Sequence, residues 1–109
     1  MKGFSERAII IIKNIPQGKV MTYGQIARYA GSPRGARQVV RILHSMSKKH
    51  QLPWHRVINS KGEIGFQDQE QFNQQKNSLE SEGVFLNHKS KIDLDFYQYH
   101  PGVPPEEYE

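Results

Sequence analysis

Apolar residues recur at helical spacing in the N-terminal third of the chain, and Gly and Pro interrupt this pattern at intervals. The first predicted helix covers residues 4–15, with Ser5 as a possible N-cap and a Pro-Gln-Gly break after it. The second begins at Thr22, which has capping-box spacing to Gln25, and it ends at Gly31. Both segments are therefore predicted to be amphipathic helices.

A third helix is predicted to start at Ser32-Pro33, a cap followed by Pro at the first helical position, and to reach about Met46. One face is apolar and is expected to meet the core: Ala36, Val39, Val40 and Leu43. Another face carries three arginines with no acid between them: Arg34, Arg37 and Arg41. A Gly-Ser-Pro break before an arginine-bearing helix is typical of a helix-turn-helix, whereas a solvated helical hairpin usually pairs its charges.

After a polar loop at residues 47–51, the pattern predicts a β-hairpin and then one more long helix. Residues 56–64 are expected to form the hairpin, which would be the wing of a winged helix-turn-helix. Asp68 is expected to cap a helix that Phe72 and Leu79 anchor and Gly83 ends. Further on, residues 101–109 are predicted to be a loose tail, and four residues are expected to pack onto the body: Leu94, Phe96, Tyr97 and Tyr99.

These elements predict a fold that is mainly α with a small β-hairpin, namely a winged helix-turn-helix domain. A chain of 109 residues is long enough for one domain and too short for two. We expect a single domain over residues 1–109, with a core at about 4–86 and a C-terminal extension at 87–109.

The charges are distributed unevenly along the chain. Between Glu6 and Glu63 there are eleven Lys and Arg residues and no acid, although the net charge of the whole chain is only +4. Ordinary solvated surfaces mix both signs, whereas a long basic stretch without acids is typical of proteins that bind polyanions. Nucleic acid is therefore the favoured partner.

Several classes of protein and site are disfavoured by composition. The absence of Cys excludes disulfides and thiolate metal sites, and the spacing of His44, His50 and His55 does not form a convincing ligand set. We expect no metal and no cofactor. No apolar run is long enough to span a membrane and no signal peptide is recognisable, so a cytoplasmic protein without membrane contact is expected.

The only Trp of the chain stands in the stretch Pro53-Trp54-His55-Arg56-Val57. An indole can stack or donate one hydrogen bond, but it cannot act as the nucleophile that a thiolate provides. The stretch resembles Pro-Cys-His-Arg-Val, the acceptor motif of the DNA alkyltransferases that act on O6-alkylguanine, with Trp54 in the Cys position. It is thus similar to the alkyltransferase-like proteins, relatives with the same C-terminal DNA-binding domain that transfer nothing.

This resemblance implies a function and assigns roles to individual residues. The protein would bind O6-alkylguanine in duplex DNA by flipping the nucleotide, and it would flag the lesion for nucleotide excision repair. The implied DNA-binding residues are Tyr23, Arg34, Arg37, Arg41 and Ser60. The implied lesion pocket comprises Tyr23, Trp54, His55, Arg56, Val57 and Gln67. The acid of the family's relay matches Glu82, which would hydrogen-bond to His55 and serve as a structural relay in the absence of a thiol.

Two of these roles have alternatives on physical grounds. Arg37, in the stretch from Gly31 to Val39, matches the arginine that replaces the flipped base, but it could instead contact a phosphate. Tyr23 could be a core residue. The chain also departs from the family twice: Met46 stands where the transferases have an Asn, and residues 65–69 replace a loop rich in Gly, Tyr and Ser.

Three functions remain open at this stage. The first is non-catalytic lesion recognition by a monomer, whose partners are DNA containing O6-alkylguanine and nucleotide excision repair proteins. The second is an alkyltransferase with a different acceptor such as His55, although imidazole accepts an unactivated alkyl group poorly. The third is a helix-turn-helix transcription regulator, which would usually be a dimer, and no dimerisation segment is evident.

Overall fold

Five helices and two short strands make up the part of the chain described by the computed structural model, residues 3–102. In chain order they are α1 (Phe4–Lys13), β1 (Met21–Thr22), α2 (Tyr23–Tyr29), α3 (Ala36–His50), a single 3-10 turn (Trp54–Arg56), β2 (Val57–Ile58), α4 (Gln69–Ser81) and α5 (Leu94–Tyr97). The prediction of a mainly helical fold with a small β element is confirmed.

Helices α1, α2 and α3 pack around the larger of two hydrophobic clusters. Its fully buried members include Ala8, Ile11, Ile12, Ile15, Ile26, Ala27, Ala30 and Val39. The β-branched Ile run is helical because its residues at positions 8, 11, 12 and 15 all reach this core. The predicted cap at Ser5 is wrong: Gly3 occupies the N-cap without a side-chain hydrogen bond, and helix α1 begins at Phe4.

The start of α2 is confirmed in detail. The Thr22 hydroxyl accepts a hydrogen bond from the Gln25 backbone N–H, and the Gln25 side chain accepts one from the Thr22 N–H. Gly31 follows the helix with φ +99, a conformation that glycine adopts without steric cost. The capping box therefore fixes the position at which Tyr23 enters the helix.

Helix α3 begins and ends later than predicted. The backbone N–H of Gly35 donates to the carbonyl of Ser32, so Ser32 and Pro33 belong to a turn and the helix starts at Ala36. A Cβ at Gly35 would lie 2.8 Å from the Phe4 ring, which explains why a small residue stands there. At the other end, the predicted polar loop is largely the last helical turn, since α3 continues to His50 and the left-handed Gln51 ends it.

The predicted core face of α3 is also rotated. Val39 and Ile42 are buried, whereas Val40 is 47% exposed and Leu43 is partly exposed. The helix packs on α2 through the stripe centred on Val39 and Ile42. The stripe that contains Val40 faces elsewhere, and its surroundings are described below.

The predicted hairpin is wrong in its pairing. Strand β2 pairs in parallel with β1, with Met21 opposite Val57 and Thr22 opposite Ile58. The segment after β2 turns back, and two backbone bonds lie within it, from the Asn59 N–H to the Glu63 carbonyl and from the Gly62 N–H to the Asn59 carbonyl. The Asn59 side-chain oxygen accepts from two further N–H groups of this turn, and these bonds replace a second strand.

A second hydrophobic cluster lies under β2 and α4. Its buried members are Val20, Ile58, Ile64, Leu79, Val84 and Ile92. Asp68 caps α4 by accepting from the Gln71 N–H, and Gly83 follows the helix with φ +89, as the sequence predicts. The anchors Phe72 and Leu79 both contact this cluster.

Much of the predicted C-terminal extension is built into the body. The Ile92 N–H donates to the Gly62 carbonyl, and Val20 exchanges backbone hydrogen bonds with Tyr97 and Tyr99. Of the four residues expected to pack on the body, Phe96 is the exception, because it is 68% exposed. Pro101 is buried and its carbonyl accepts from the Tyr29 hydroxyl, whereas the predicted tail from residue 103 onward lies outside the described residues.

Within residues 3–102, none of the helices is long and apolar enough to cross a membrane.

Candidate nucleic-acid interface

A cavity of about 440 Å³ opens between helix α3, the 3-10 turn and the start of α4. Its size is within the usual range of ligand sites, roughly 300–1,000 Å³. The wall is partly apolar and partly made of uncharged polar groups: Tyr23, Val40, Leu43, His44, Ser47, Trp54, Gly65, Phe66, Gln71 and Gln74. Two of the residues predicted for the pocket, Tyr23 and Trp54, are among them.

One whole face of α3 lines this cavity. Val40, Leu43, His44 and Ser47 are spaced i, i+3, i+4 and i+7, so their side chains stand on one side of the helix. Nothing in the sequence indicated that His44 and Ser47 line a cavity, and Val40, expected in the core, borders it; Leu43 borders the cavity and also packs against the larger cluster as expected. The available signal was that α3 has more apolar positions than one core-facing stripe requires.

Trp54 stands at the base of the cavity on the 3-10 turn that precedes β2. Its indole meets the Phe66 ring edge to face, with centroids 5.9 Å apart and planes at 89°. On another side it meets the His55 ring at 6.4 Å, also at 89°. The Trp54 side chain therefore has two aromatic neighbours at right angles to it, while part of it borders the open cavity.

Tyr23 forms the wall contributed by α2. It is the first residue of that helix and directly follows the Thr22 cap, so its ring leaves the helix beside free backbone N–H groups. The ring is partly buried, and burial raises the pKa of the Tyr23 hydroxyl above its ordinary value of 10.0. The hydroxyl thus remains protonated at neutral pH and can both donate and accept.

The predicted relay is present as a hydrogen-bonded group centred on Glu82. His55 Nε2 lies 2.8 Å from Glu82 Oε2, and Arg56 donates to both carboxylate oxygens, from Nη2 at 2.7 Å and from Nε at 3.0 Å. The Gly18 N–H donates to Glu82 Oε1 at 3.3 Å, and Arg56 Nη1 donates to the Ile15 carbonyl at 2.9 Å. One carboxylate at the end of α4 thus joins the motif to the turn after α1.

The charge of this group is settled by competing effects on Glu82. Its side chain is only 10% exposed, and burial alone raises the pKa of a carboxyl group. Hydrogen bonds from Arg56, His55 and Gly18 outweigh burial and lower the pKa of Glu82 from its usual 4.5 to about 2. Glu82 is therefore ionised at neutral pH and compensates the charge of Arg56.

The other residues predicted for the pocket do not line the cavity. His55 and Arg56 turn toward Glu82, because its carboxylate satisfies their donors. Val57 is fully buried in β2, and its carbonyl already accepts from the Gln75 side chain at 3.0 Å. Gln67 is exposed on the loop before α4 and lies outside the cavity wall.

Apart from the partly buried Tyr23, the residues predicted to contact DNA are exposed. Arg34 lies in the turn before α3, and Arg37 and Arg41 stand one helical turn apart on the exposed side of α3. By the helical repeat, Arg37 lies seven residues before His44 and on the same side, next to the cavity-lining stripe. Ser60 is exposed in the turn that follows β2, and Met46, at the position of the family's Asn, is partly buried in the larger cluster.

The three arginines are thus exposed within a stretch of the sequence that has no acidic residue between Glu6 and Glu63. In residues 3–102 there is no group of three or more His, Asp or Glu side chains that could hold a metal ion.

Residues 3–84 match the family model of the 6-O-methylguanine DNA methyltransferase DNA-binding domain. The chain belongs to this family. The match covers α1 to α4, and it includes the helix-turn-helix, the Trp54 turn and Glu82. The family resemblance inferred from the motif around Trp54 is thereby confirmed.

Within the methyltransferase family, similar relatives carry names other than methyltransferase. A DNA base-flipping protein of Vibrio parahaemolyticus is 41% identical over 101 residues, covering 93% of this chain and 100% of its own. Alkyltransferase-like protein 1 of Schizosaccharomyces pombe is 42% identical over 106 residues, covering 93% and 98%. The crystal structure of the S. pombe protein with DNA containing O6-carboxymethylguanine superimposes with a TM-score of 0.77 at 38% identity, covering 93% of this chain and 100% of that one.

Proposed function

We propose that this protein recognises O6-alkylguanine in duplex DNA by flipping the damaged nucleotide into the cavity beside Trp54, without transferring the alkyl group. The observation that carries the proposal is the position of Trp54. By the resemblance of its motif, Trp54 corresponds to the acceptor cysteine of the family, and its indole borders a cavity of about 440 Å³. A pocket of this kind can bind a base by stacking, but it offers no thiol.

The surface around the cavity supports DNA as the partner. Arg34, Arg37 and Arg41 are exposed in and before α3, and they have no acidic residue near them in sequence. Exposed cationic side chains bind the phosphate backbone of DNA irrespective of base sequence. The place of Arg37 next to the cavity-lining stripe suits a side chain that fills the space left by the flipped base. The relatives named for base flipping and the S. pombe complex with damaged DNA support DNA as the partner.

The absence of alkyl transfer rests on the chemistry of the groups at the site. The chain has no Cys, and an indole is not a nucleophile at neutral pH. His55, the acceptor in the alternative hypothesis, has its Nε2 hydrogen-bonded to Glu82 and does not line the cavity. No feature of the site therefore favours transfer to another residue.

Binding to matched oligonucleotides tests recognition. The affinity for a duplex containing one O6-methylguanine is compared with that for the same duplex containing guanine, at one stated salt concentration. We expect a preference for the damaged duplex in every sequence context. A transcription regulator would instead prefer one undamaged sequence and ignore the lesion, and that result would overturn the proposal.

Intact-mass spectrometry tests the absence of transfer. The protein is incubated with excess O6-methylguanine duplex, and both the protein mass and the methyl content of the DNA are followed. We expect both to stay unchanged over hours. A gain of one methyl group by the protein, matched by its loss from the DNA, would identify an alkyltransferase with a non-cysteine acceptor.

We further propose that the bound protein, a cytoplasmic monomer, marks the lesion for nucleotide excision repair. A flipped nucleotide in a distorted duplex provides a substrate feature that repair nucleases can detect. The test is incision of an O6-alkylguanine duplex by purified excision-repair nucleases with and without the protein. We expect stimulated incision near the lesion, and equal incision in both reactions would contradict this step. The oligomeric state is tested by analytical ultracentrifugation of the free protein, for which we expect the mass of one chain.

A further inference from the structure

Phe66 connects the cavity wall to the hydrophobic interior. It lies on the loop between Ile64 and α4, and its ring borders the cavity next to Trp54. It also packs against the second buried cluster, whose nearest member in sequence is Ile64. One side of the ring is thus held by the core, and another meets the indole edge to face at a centroid distance of 5.9 Å.

Two ring contacts orient the Trp54 indole among the described residues. Its second aromatic neighbour is His55, whose ring lies 6.4 Å away and is held in turn by Glu82. Phe66 is the neighbour that shares the cavity wall with it. An edge-to-face pair restricts the relative tilt of the two rings, because the positive edge of one meets the negative face of the other.

We propose that Phe66 is a positioning residue that fixes the tilt of the Trp54 indole and thereby sets which O6 substituents the cavity selects. This inference rests on the proposed function and deepens it. A fixed indole leaves a gap of constant width beside the flipped base, which suits small substituents. A free indole would swing aside, lose its contact with a methyl group, and still make room for a large aromatic group.

The chain offers a specific probe, since Trp54 is its only tryptophan and all indole fluorescence reports on this one ring. The test variant is Phe66→Leu, which keeps an apolar side chain and removes the ring. The conservative variant Phe66→Tyr keeps the ring. The matched control is Phe72→Leu, because Phe72 packs against the same cluster but does not line the cavity.

Two readouts are measured on every variant that retains the wild-type circular dichroism spectrum. The first is acrylamide quenching and emission maximum of the free protein. The second is the ratio of affinities for duplexes containing O6-methylguanine and O6-benzylguanine. A loss of stability that is purely structural affects both substituents alike, whereas a change in indole tilt affects the ratio. If Phe66→Leu does not fold, Phe66→Met replaces it as the ringless variant.

We expect Phe66→Leu to increase quenching and to lower the affinity for O6-methylguanine about two- to tenfold, the range that one aromatic pair contributes. Its affinity for O6-benzylguanine should change less than about twofold by the same reasoning. Phe66→Tyr and Phe72→Leu should both resemble the wild type in quenching and in the ratio.

The inference is overturned if Phe66→Leu leaves quenching and the affinity ratio unchanged, or if Phe72→Leu changes them to the same extent. This failure is distinguishable from failure of the proposed function. If the wild type does not prefer O6-alkylguanine over guanine, lesion recognition itself is wrong, whatever Phe66 does to the indole.

Discussion

Replacing Glu82 by Gln removes the negative charge that holds His55 and Arg56 and leaves the size of the side chain almost unchanged. The guanidinium of Arg56 is about as buried as its partner, with side-chain exposures of 18% and 10%. The neutral amide of the variant could accept only weaker hydrogen bonds, so a cation would be left in a poorly solvated place. Removal of one partner from a buried ion pair typically costs about 3–5 kcal/mol.

The pKa of Glu82 gives a second value for the stabilisation that the ionised carboxylate contributes. Each pKa unit corresponds to about 1.4 kcal/mol, so the difference between 4.5 and about 2 corresponds to about 3 kcal/mol. Because the pKa is lowered in the folded state, this stabilisation is complete above pH 4.5 and is lost as the pH falls through about 2. At about pH 3 roughly two-fifths of it should remain. The cost of breaking a buried ion pair and the stabilisation derived from the pKa are thus both about 3 kcal/mol.

The assay is urea denaturation of wild type and Glu82→Gln, followed by far-ultraviolet circular dichroism at several pH values. At pH 7 we expect the variant to be about 3 kcal/mol less stable, which for a domain of this size lowers Tm by roughly 12–24 °C. The difference should shrink as the pH approaches 3, because protonation removes the same charge from the wild type.

Glu63→Gln is the matched control. The Glu63 carboxylate lies 3.9 Å from Lys91 Nζ, and both side chains are about two-fifths exposed, so the loss should stay below about 1 kcal/mol. A stabilising role of the Glu82 charge is refuted if Glu82→Gln lowers the free energy of unfolding no more than this control does at pH 7. It is also refuted if the loss is the same at pH 7 and pH 3.

Three further predictions concern the DNA surface and the fold. Arg37→Ala should weaken binding to the O6-methylguanine duplex and should reduce base extrusion, measured with a fluorescent base analogue. Tm should stay unchanged, since the Arg37 side chain is exposed. An unchanged lesion preference would show that Arg37 has no part in recognition. Wild-type affinity should fall steeply with salt, and the double variant of Arg34 and Arg41 to Ala should reduce the log–log slope by about 1.8 if both contact phosphates. Gly62→Ala should lower the free energy of unfolding by more than about 2 kcal/mol, measured by urea denaturation, because φ is +76 and the new Cβ would collide with a backbone carbonyl. Gly65→Ala is the control: its Cβ would meet nothing within 4 Å, so the stability should change little.

Local signals were sufficient to predict most of the helices. The Thr22–Gln25 capping box, the Asp68 cap and the glycines after α2 and α4 all act through neighbours in sequence, so they can be recognised without a structure. The start of α3 was misplaced because part of its cause lies far away in sequence. Gly35 is in a turn that closes on Ser32, and it lies against the ring of Phe4, which belongs to a different helix.

The strand pairing and most of the cavity wall could not be predicted for a related reason. Each strand has only two residues, and an alternating pattern that short identifies neither a strand nor its partner. The motif pointed to Trp54, and the helix-start match pointed to Tyr23, and both line the cavity. His44, Ser47, Gln71 and Gln74 look like ordinary surface residues until α3 and α4 are brought face to face.

The short parallel pairing of β1 with β2 has a consequence for how this scaffold can change its chemistry. Tyr23 follows β1 directly, and the Trp54 turn precedes β2 directly, so two walls of the cavity are spaced by main-chain hydrogen bonds. Those bonds are the same whichever side chain occupies position 54. Under the proposed function, a single codon exchange there would replace a covalent acceptor with a non-reactive aromatic side chain, while the backbone bonds around it stay in place.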